Sequence, residues 1–249
     1  QPALVLPNPI SVDMSAMRLN LWPGLLQAVQ YNQNRQQNRI RLFEYGLKFI
    51  PDANAEGGVR QVPVLGGVIV GSYGNEHWTI AERAVDFYDV KGDVEALLSC
   101  TSATECFTFA TGQHSALHPG QTAQLNRDGK AVGVLGALHP EAERKLAIKG
   151  KAYLFELEIA ALGARSIVEA RELSKYPANR RDLAIVVKSD VRFADVAATI
   201  KKVGGNQLVD LKLFDVYTGT GVAEGFKSLA IALTLQDIAR TLEDKDIQQ

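Results

Sequence analysis

Two histidines four residues apart, His114 and His118, have the spacing that puts both imidazoles on one helical face in zinc hydrolases. No Glu follows His114 and Pro119-Gly120 interrupts any helix there, so the pair reads as loop histidines, and a hydrolase built on them is the lesser reading. The dipeptides His118-Pro119 and His139-Pro140 are each expected to end a strand, with Pro140 opening a short helix over 141–148. Asp86, Asp89, Asp93 and Glu95 could ligate a cation, but acids at the start and on the wet face of a helix need only its dipole and solvent. Cys100 and Cys106 have no ligand cluster near them and are expected to be free, buried thiols. Gly66-Gly67, Gly71 and Gly129-Lys130 lack the Gly-Lys-Ser/Thr of a phosphate loop.

A more informative pattern lies near the C-terminus. Val209, Leu211 and Leu213 alternate with Asp210 and Lys212, and the apolar phase then passes to Phe214 and Val216, which indicates a β-bulge. The shift puts Asp215 and Tyr217 on the face away from the core, beside the small Ala230, Ala232 and Thr234, while Leu229, Ile231, Leu233 and Leu235 point inward. An open sheet face with one aromatic, one acid and a small floor can stack and hydrogen-bond an unpaired RNA base. An ordinary exposed Tyr beside a turn is the plain alternative.

Positioning these groups requires sheets with helices packed on them. Pro23 suits the first turn of a helix, and Leu25, Leu26 and Val29 follow at helical spacing before the polar stretch 31–38 carries the chain away. Strands are expected over 40–49 and 62–70, then a helix over 86–98 with Phe87, Val90, Val94, Leu97 and Leu98 on one face. Strands over 123–125 and 132–138 flank the hairpin turn Asp128-Gly129, and 153–159 alternates apolar and polar residues. This part predicts an α+β arrangement built on an antiparallel sheet. A polar stretch broken at Pro177 sets a boundary near 172, giving domains 1–171 and 172–249.

In the second domain Leu183, Ile185 and Val187 share one strand face. Phe193, Val196, Ala197, Ile200 and Val203 form a helix stripe stopped by Gly204-Gly205, and strands follow over 208–217 and 228–235. Thr241-Leu242-Glu243-Asp244 has a helix-start pattern with five residues left after it, so the order reads as a ferredoxin-like βαββα unit truncated before its closing strand. With no initiator Met, the sequence reads as a piece of a longer chain.

The 249 residues, 46% hydrophobic, with 27 Lys plus Arg against 28 Asp plus Glu, exclude a disordered, collagenous or disulfide-scaffold protein. No apolar run nears the roughly 20 residues of a membrane span, and the N-terminus lacks the basic start of a signal peptide, which makes the cytoplasm the expected compartment. From Arg171 onward there are 12 basic and 11 acidic residues, so any RNA contact is local, through Arg180, Arg181, Lys227 and Arg240, rather than through a global field.

Several segments together resemble a known family. They are Leu6-Pro7-Asn8-Pro9-Ile10-Ser11, Met17-Arg18, Leu42-Phe43-Glu44-Tyr45-Gly46, Asp86-Phe87-Tyr88-Asp89-Val90-Lys91-Gly92, Leu117-His118-Pro119-Gly120 and Gly136-Ala137-Leu138-His139-Pro140-Glu141. In order along the chain they are similar to the C-terminal third of the bacterial phenylalanyl-tRNA synthetase beta subunit. Tyr176-Pro177-Ala178-Asn179-Arg180-Arg181-Asp182, Leu213-Phe214-Asp215-Val216-Tyr217 and the stretch from Ser228 to Asp244 resemble its ferredoxin-fold anticodon-binding domain.

The resemblance implies a class II synthetase-like module without the ATP-binding arginines and amino-acid pocket, which the alpha subunit supplies. Arg41-Leu42-Phe43-Glu44 is too short to assign an active site. It also implies an α2β2 assembly, ATP and magnesium for the complete enzyme but no cofactor in this piece, and tRNA for phenylalanine as the RNA partner, with no DNA or membrane. The family's base-stacking tyrosine and nearby aspartate fall on Tyr217 and Asp215. The N-terminal tRNA-binding domain, the editing site and the magnesium-associated acids belong to other parts of the subunit. The rival reading is a ferredoxin-like regulatory module that binds an amino acid.

Overall fold

Pro23 lies in the first turn of α1 (Trp22–Gln33), where its missing N–H is no loss, and Trp22, Leu25, Leu26 and Val29 are buried along one side. The computed structural model describes residues 2–163, 167 and 172–243, and the chain divides into two units, Gln1–Val168 and Glu169–Gln249. The helix runs on through Tyr31-Asn32-Gln33, further than the polar stretch suggests. Asn32 Nδ2 donates to Ala28 O and Gln33 Nε2 to Lys149 O at 2.7 Å, so polar side chains finish the helix.

The first unit is built on six antiparallel strands in the order β1-β2-β6-β5-β4-β3. They are β1 (Arg39–Pro51), β2 (Val59–Gly71), β3 (Phe107–Thr111), β4 (Leu117–Arg127), β5 (Lys130–Leu138) and β6 (Ala152–Glu158). In β2, Val68-Ile69-Val70 is apolar without alternation because both faces of the sheet are covered. Val64, Val68 and Val70 pack with α1, while Ile69 joins Val90, Val94 and Leu98 of α2 (Phe87–Ser99) on the other side. Trp22 fastens α1 to the sheet, its Nε1 donating to Phe155 O at 3.0 Å. Asp128 and Gly129, with φ of 49° and 79°, form the two-residue turn between β4 and β5, as the sequence predicts.

Strand β3 is not apparent in the sequence, where its five residues follow a short turn without clear punctuation. His118-Pro119 does not end a strand. It lies at the start of β4, where the pairing is irregular between Leu117 and Thr122 and a ring without an N–H is tolerated. His139-Pro140 does end β5, and α3 (Pro140–Lys145) begins there with His139 Nδ1 accepting from Glu141 N. Short helix α4 (Ile159–Gly163) follows β6. The cysteines are free, but they are not buried: Cys100 is exposed and Cys106 half-buried, because the α2 end and the turn after it lie at the surface.

The second unit has β7 (Asn179–Lys188), α5 (Phe193–Gly204), β8 (Leu208–Tyr217) and β9 (Phe226–Leu235), with antiparallel strands in the order β7-β9-β8. That arrangement is the expected start of a ferredoxin-like unit. Thr241, Leu242 and Glu243 are not helical, and Asp244 and the residues after it lie outside the described residues. No helix of the described residues is long and apolar enough to cross a membrane.

Candidate nucleic-acid interface

In the first unit the polar groups are occupied with the fold itself. A hollow of about 530 Å³ on the α1 side of the sheet is lined by Trp22, Lys48, His114, Gln124, Glu156 and Glu158 among others. Glu156 Oε2 accepts from Leu21 N at 2.9 Å, which puts a carboxylate at the α1 N-terminus. Lys48 Nζ lies 3.5 Å from Glu156 and 3.3 Å from Glu158. Burial nonetheless pushes the Glu156 carboxyl above the usual range. Arg18 donates to Glu44 Oε1 at 2.6 Å and to Leu47 O at 2.8 Å, while Arg41 lies 3.4 Å from Asp93.

The acids near α2 act as caps. Asp86 accepts from Tyr88 N and Asp89 N, Asp89 accepts from Asp86 N, and Arg83 donates to both Asp89 oxygens at 2.7 Å. That arginine holds the Asp89 carboxyl below its ordinary range. All four histidines serve turns: Nδ1 of His77, His114, His118 and His139 accepts the backbone N–H two residues on, at 3.0–3.2 Å. His114 also meets the Trp22 ring edge-on at 4.9 Å, and burial lowers its pKa. Among the described residues no three His, Cys, Asp or Glu converge as a metal site.

The smaller sheet is different. One face carries Leu229 and Ile231, 1% and 0% exposed, paired with Leu183, Ile185, Leu213 and Val216. The opposite face has a floor of Ser228, Ala230, Ala232 and Thr234 along the central strand. Beside that floor β8 places Asp210, Lys212, Asp215 and Tyr217, and β7 places Arg180, Asp182, Ala184 and Val186. The bulge lies where the sequence indicates, between Leu213 and Asp215, so Asp215 pairs with Ala230 and Tyr217 with Ser228 on the open face.

Tyr217 is 47% exposed. Its hydroxyl donates to Thr220 O at 3.2 Å, and its ring lies so close to Gly219 that a Cβ there would fall 2.6 Å from Oη. The ring is thereby fixed in orientation with surface left for a ligand. Asp215 is exposed, with no side-chain hydrogen bond among the described residues.

The basic residues expected nearby separate. Arg180 shares the open face and pairs with Asp182 at 2.9 Å, which raises its pKa. Arg181 pairs with Leu233 and Lys227 with Val187, on the rows of the covered face, and Lys227 Nζ donates to Ser189 O. Arg240 lies in the loop beyond β9.

Phe214 was missed as a surface group. Alternation groups it with Val216 on the inner side, yet its ring centre is 5.8 Å from the Arg180 guanidinium carbon, on the open face. A bulge sets two successive residues on one side of the strand, and that was the available signal.

The family model of the phenylalanyl tRNA synthetase beta chain CLM domain matches residues 1–159. The chain belongs to the phenylalanyl-tRNA synthetase beta chain family. Residues 174–249 match the ferredoxin-fold anticodon binding domain. Phenylalanine–tRNA ligase beta subunits of Colwellia psychrerythraea and Vibrio cholerae are 57% and 56% identical to this chain, covering 99% and 98% of it. The chain spans 31% of the length of each. A solved pyrrolysyl tRNA synthetase of Desulfitobacterium hafniense overlaps 59% of this chain and 48% of its own at 13% identity, with a TM-score of 0.43, too slight a likeness to identify a fold.

Proposed function

We propose that this chain is the scaffolding and tRNA-positioning part of a phenylalanine–tRNA ligase beta subunit. In this reading residues 1–171 form a class II synthetase-like module that carries no catalysis and packs against the alpha subunit in a cytoplasmic α2β2 enzyme. Residues 172–249 hold the anticodon of tRNA for phenylalanine while the complete enzyme esterifies phenylalanine to that tRNA, using ATP and magnesium. The observation that carries the reading is the outward pair Asp215 and Tyr217 on an open sheet face, inside the segment matched by the anticodon-binding model. A base stacks on the Tyr217 ring while the Asp215 carboxylate accepts from base-edge N–H groups, and Arg180 reaches the phosphates from β7. Arg181, Lys227 and Arg240 then contact RNA only where it passes beyond that face.

The first module fits a non-catalytic role because Arg18, Arg41, Lys48, Glu44 and Glu156 are committed to partners within the fold. Co-purification with a tagged phenylalanyl-tRNA synthetase alpha subunit, followed by titration with the tRNA, tests the proposal. A stable complex that binds tRNA is expected, with no phenylalanine-dependent ATP–pyrophosphate exchange by this chain alone. Exchange by the chain alone, or a folded chain that neither binds the alpha subunit nor strengthens tRNA binding, would overturn it.

A further inference from the structure

Two rings share the open face of the smaller sheet, although the functional reading above uses one. Phe214 is 48% exposed and Tyr217 is 47% exposed. They lie three residues apart on β8, which at a strand rise of about 3.3 Å per residue separates them by roughly 7 to 10 Å. That spacing is too wide for one base to touch both rings flat and suits two neighbouring bases splayed out of a loop.

Each ring has its own polar neighbours. Tyr217 is opposite Ser228 with Asp215 two residues before it, while Phe214 faces the Arg180–Asp182 pair on the far strand. Between the strands the small Ala230 and Ala184 stay accessible as a floor on which a flat ring meets no bulky side chain, while Ala232, 6% exposed, is already covered by its neighbours.

We propose that Phe214 is a second stacking platform, and that this face seats two successive unpaired bases, one on Tyr217 beside Asp215 and one on Phe214 beside Arg180 and Asp182. The proposal rests on the anticodon-binding reading and goes beyond it by assigning a second base subsite. Sheets of this layout with two outward aromatics bind neighbouring single-stranded bases, since every base offers a π-face and stacking tolerates sequence. The guanidinium of Arg180 and the carboxylate of Asp182 supply a donor and an acceptor beside the second base, and with them a preference between bases.

The test uses the assembled alpha–beta enzyme and an anticodon stem-loop hairpin of tRNA for phenylalanine, with 2-aminopurine placed in turn at each loop position. Stacking quenches its fluorescence. Wild type is expected to quench two adjacent positions. Tyr217→Ala should release one of them and Phe214→Leu, which keeps an apolar side chain at that position, the other, each weakening binding by about 5- to 150-fold, the range of one base stack. Circular dichroism melts of both variants check that the fold is retained, and Phe214→Tyr should restore the quenching that Phe214→Leu loses. If Tyr217→Ala acts and Phe214→Leu, still folded, leaves both positions quenched, the second platform is overturned and the anticodon reading stands. If wild type does not bind or quench at any position, both fall together.

Discussion

The two units treat their polar side chains in opposite ways. In the larger sheet the central strands are covered on both faces, with Phe43 and Tyr45 of edge strand β1 left exposed, and Glu156, Lys48, Arg18 and the α2 residue Asp89 are all bound to groups of the same chain. In the smaller sheet one face buries Leu229 and Ile231 of its central strand, and Asp215, Tyr217 and Phe214 on the other point to solvent. Polar residues in the same family thus divide into those that build the fold and those left available, and the presence of a covering helix decides which.

Glu156 gives the largest expected break in this contrast. Glu156→Ala leaves Lys48 with Glu158 alone and strands the Leu21 N–H in a half-dry hollow, and should destabilise the chain by about 1 to 3 kcal/mol, read by urea unfolding. An effect under 1 kcal/mol would show that the hollow is wetter than its lining suggests. Tyr217→Ala should cost about 1 to 3 kcal/mol in tRNA binding, with little change in melting temperature. Equal losses of both would make Tyr217 a packing residue and erase the contrast between the units. Asp86→Ala removes half of the α2 capping box and should lower stability by about 1 kcal/mol, without any effect on RNA affinity.

The smallest expected effects are pH slopes. Burial holds His114 below its ordinary pKa of about 6.5, so the folded state binds that proton less readily than the unfolded chain. Stability from this group is present above pH 6.5 and lost as pH falls through and below it, and His114→Asn should flatten that slope. Glu156 runs the other way. Its raised pKa favours the proton in the fold, so stability falls as pH rises from about 4.3 through the raised value, and Glu156→Gln should remove that decline.

Much of this division is legible in residue spacing. Val90, Val94 and Leu98 mark the buried face of α2, Asp128-Gly129 marks a turn, and the phase change near Leu213 marks the bulge. Less legible are features set by tertiary neighbours. Pairing with β4 makes a strand of Phe107–Thr111, and nothing local to that segment demands it. Irregular pairing lets His118-Pro119 open a strand rather than close one. Phe214 looks like core by alternation because the pattern shows that a phase is broken but not which residue is the extra one. Arg180 and Arg181 are neighbours in sequence, and only strand parity sends them to opposite faces.

The bulge has one more consequence, for how such a strand can change over generations. Since Asp215, Val216 and Tyr217 resume strict alternation against Ala230, Leu229 and Ser228, Phe214 is an insertion that the ladder does not count. A lineage that lost this one codon would keep the register, the core and the tyrosine, and would give up a single aromatic ring. The sheet and its second ring are thus separable parts, one of which can be gained or lost by a three-nucleotide event while the other goes on folding as before.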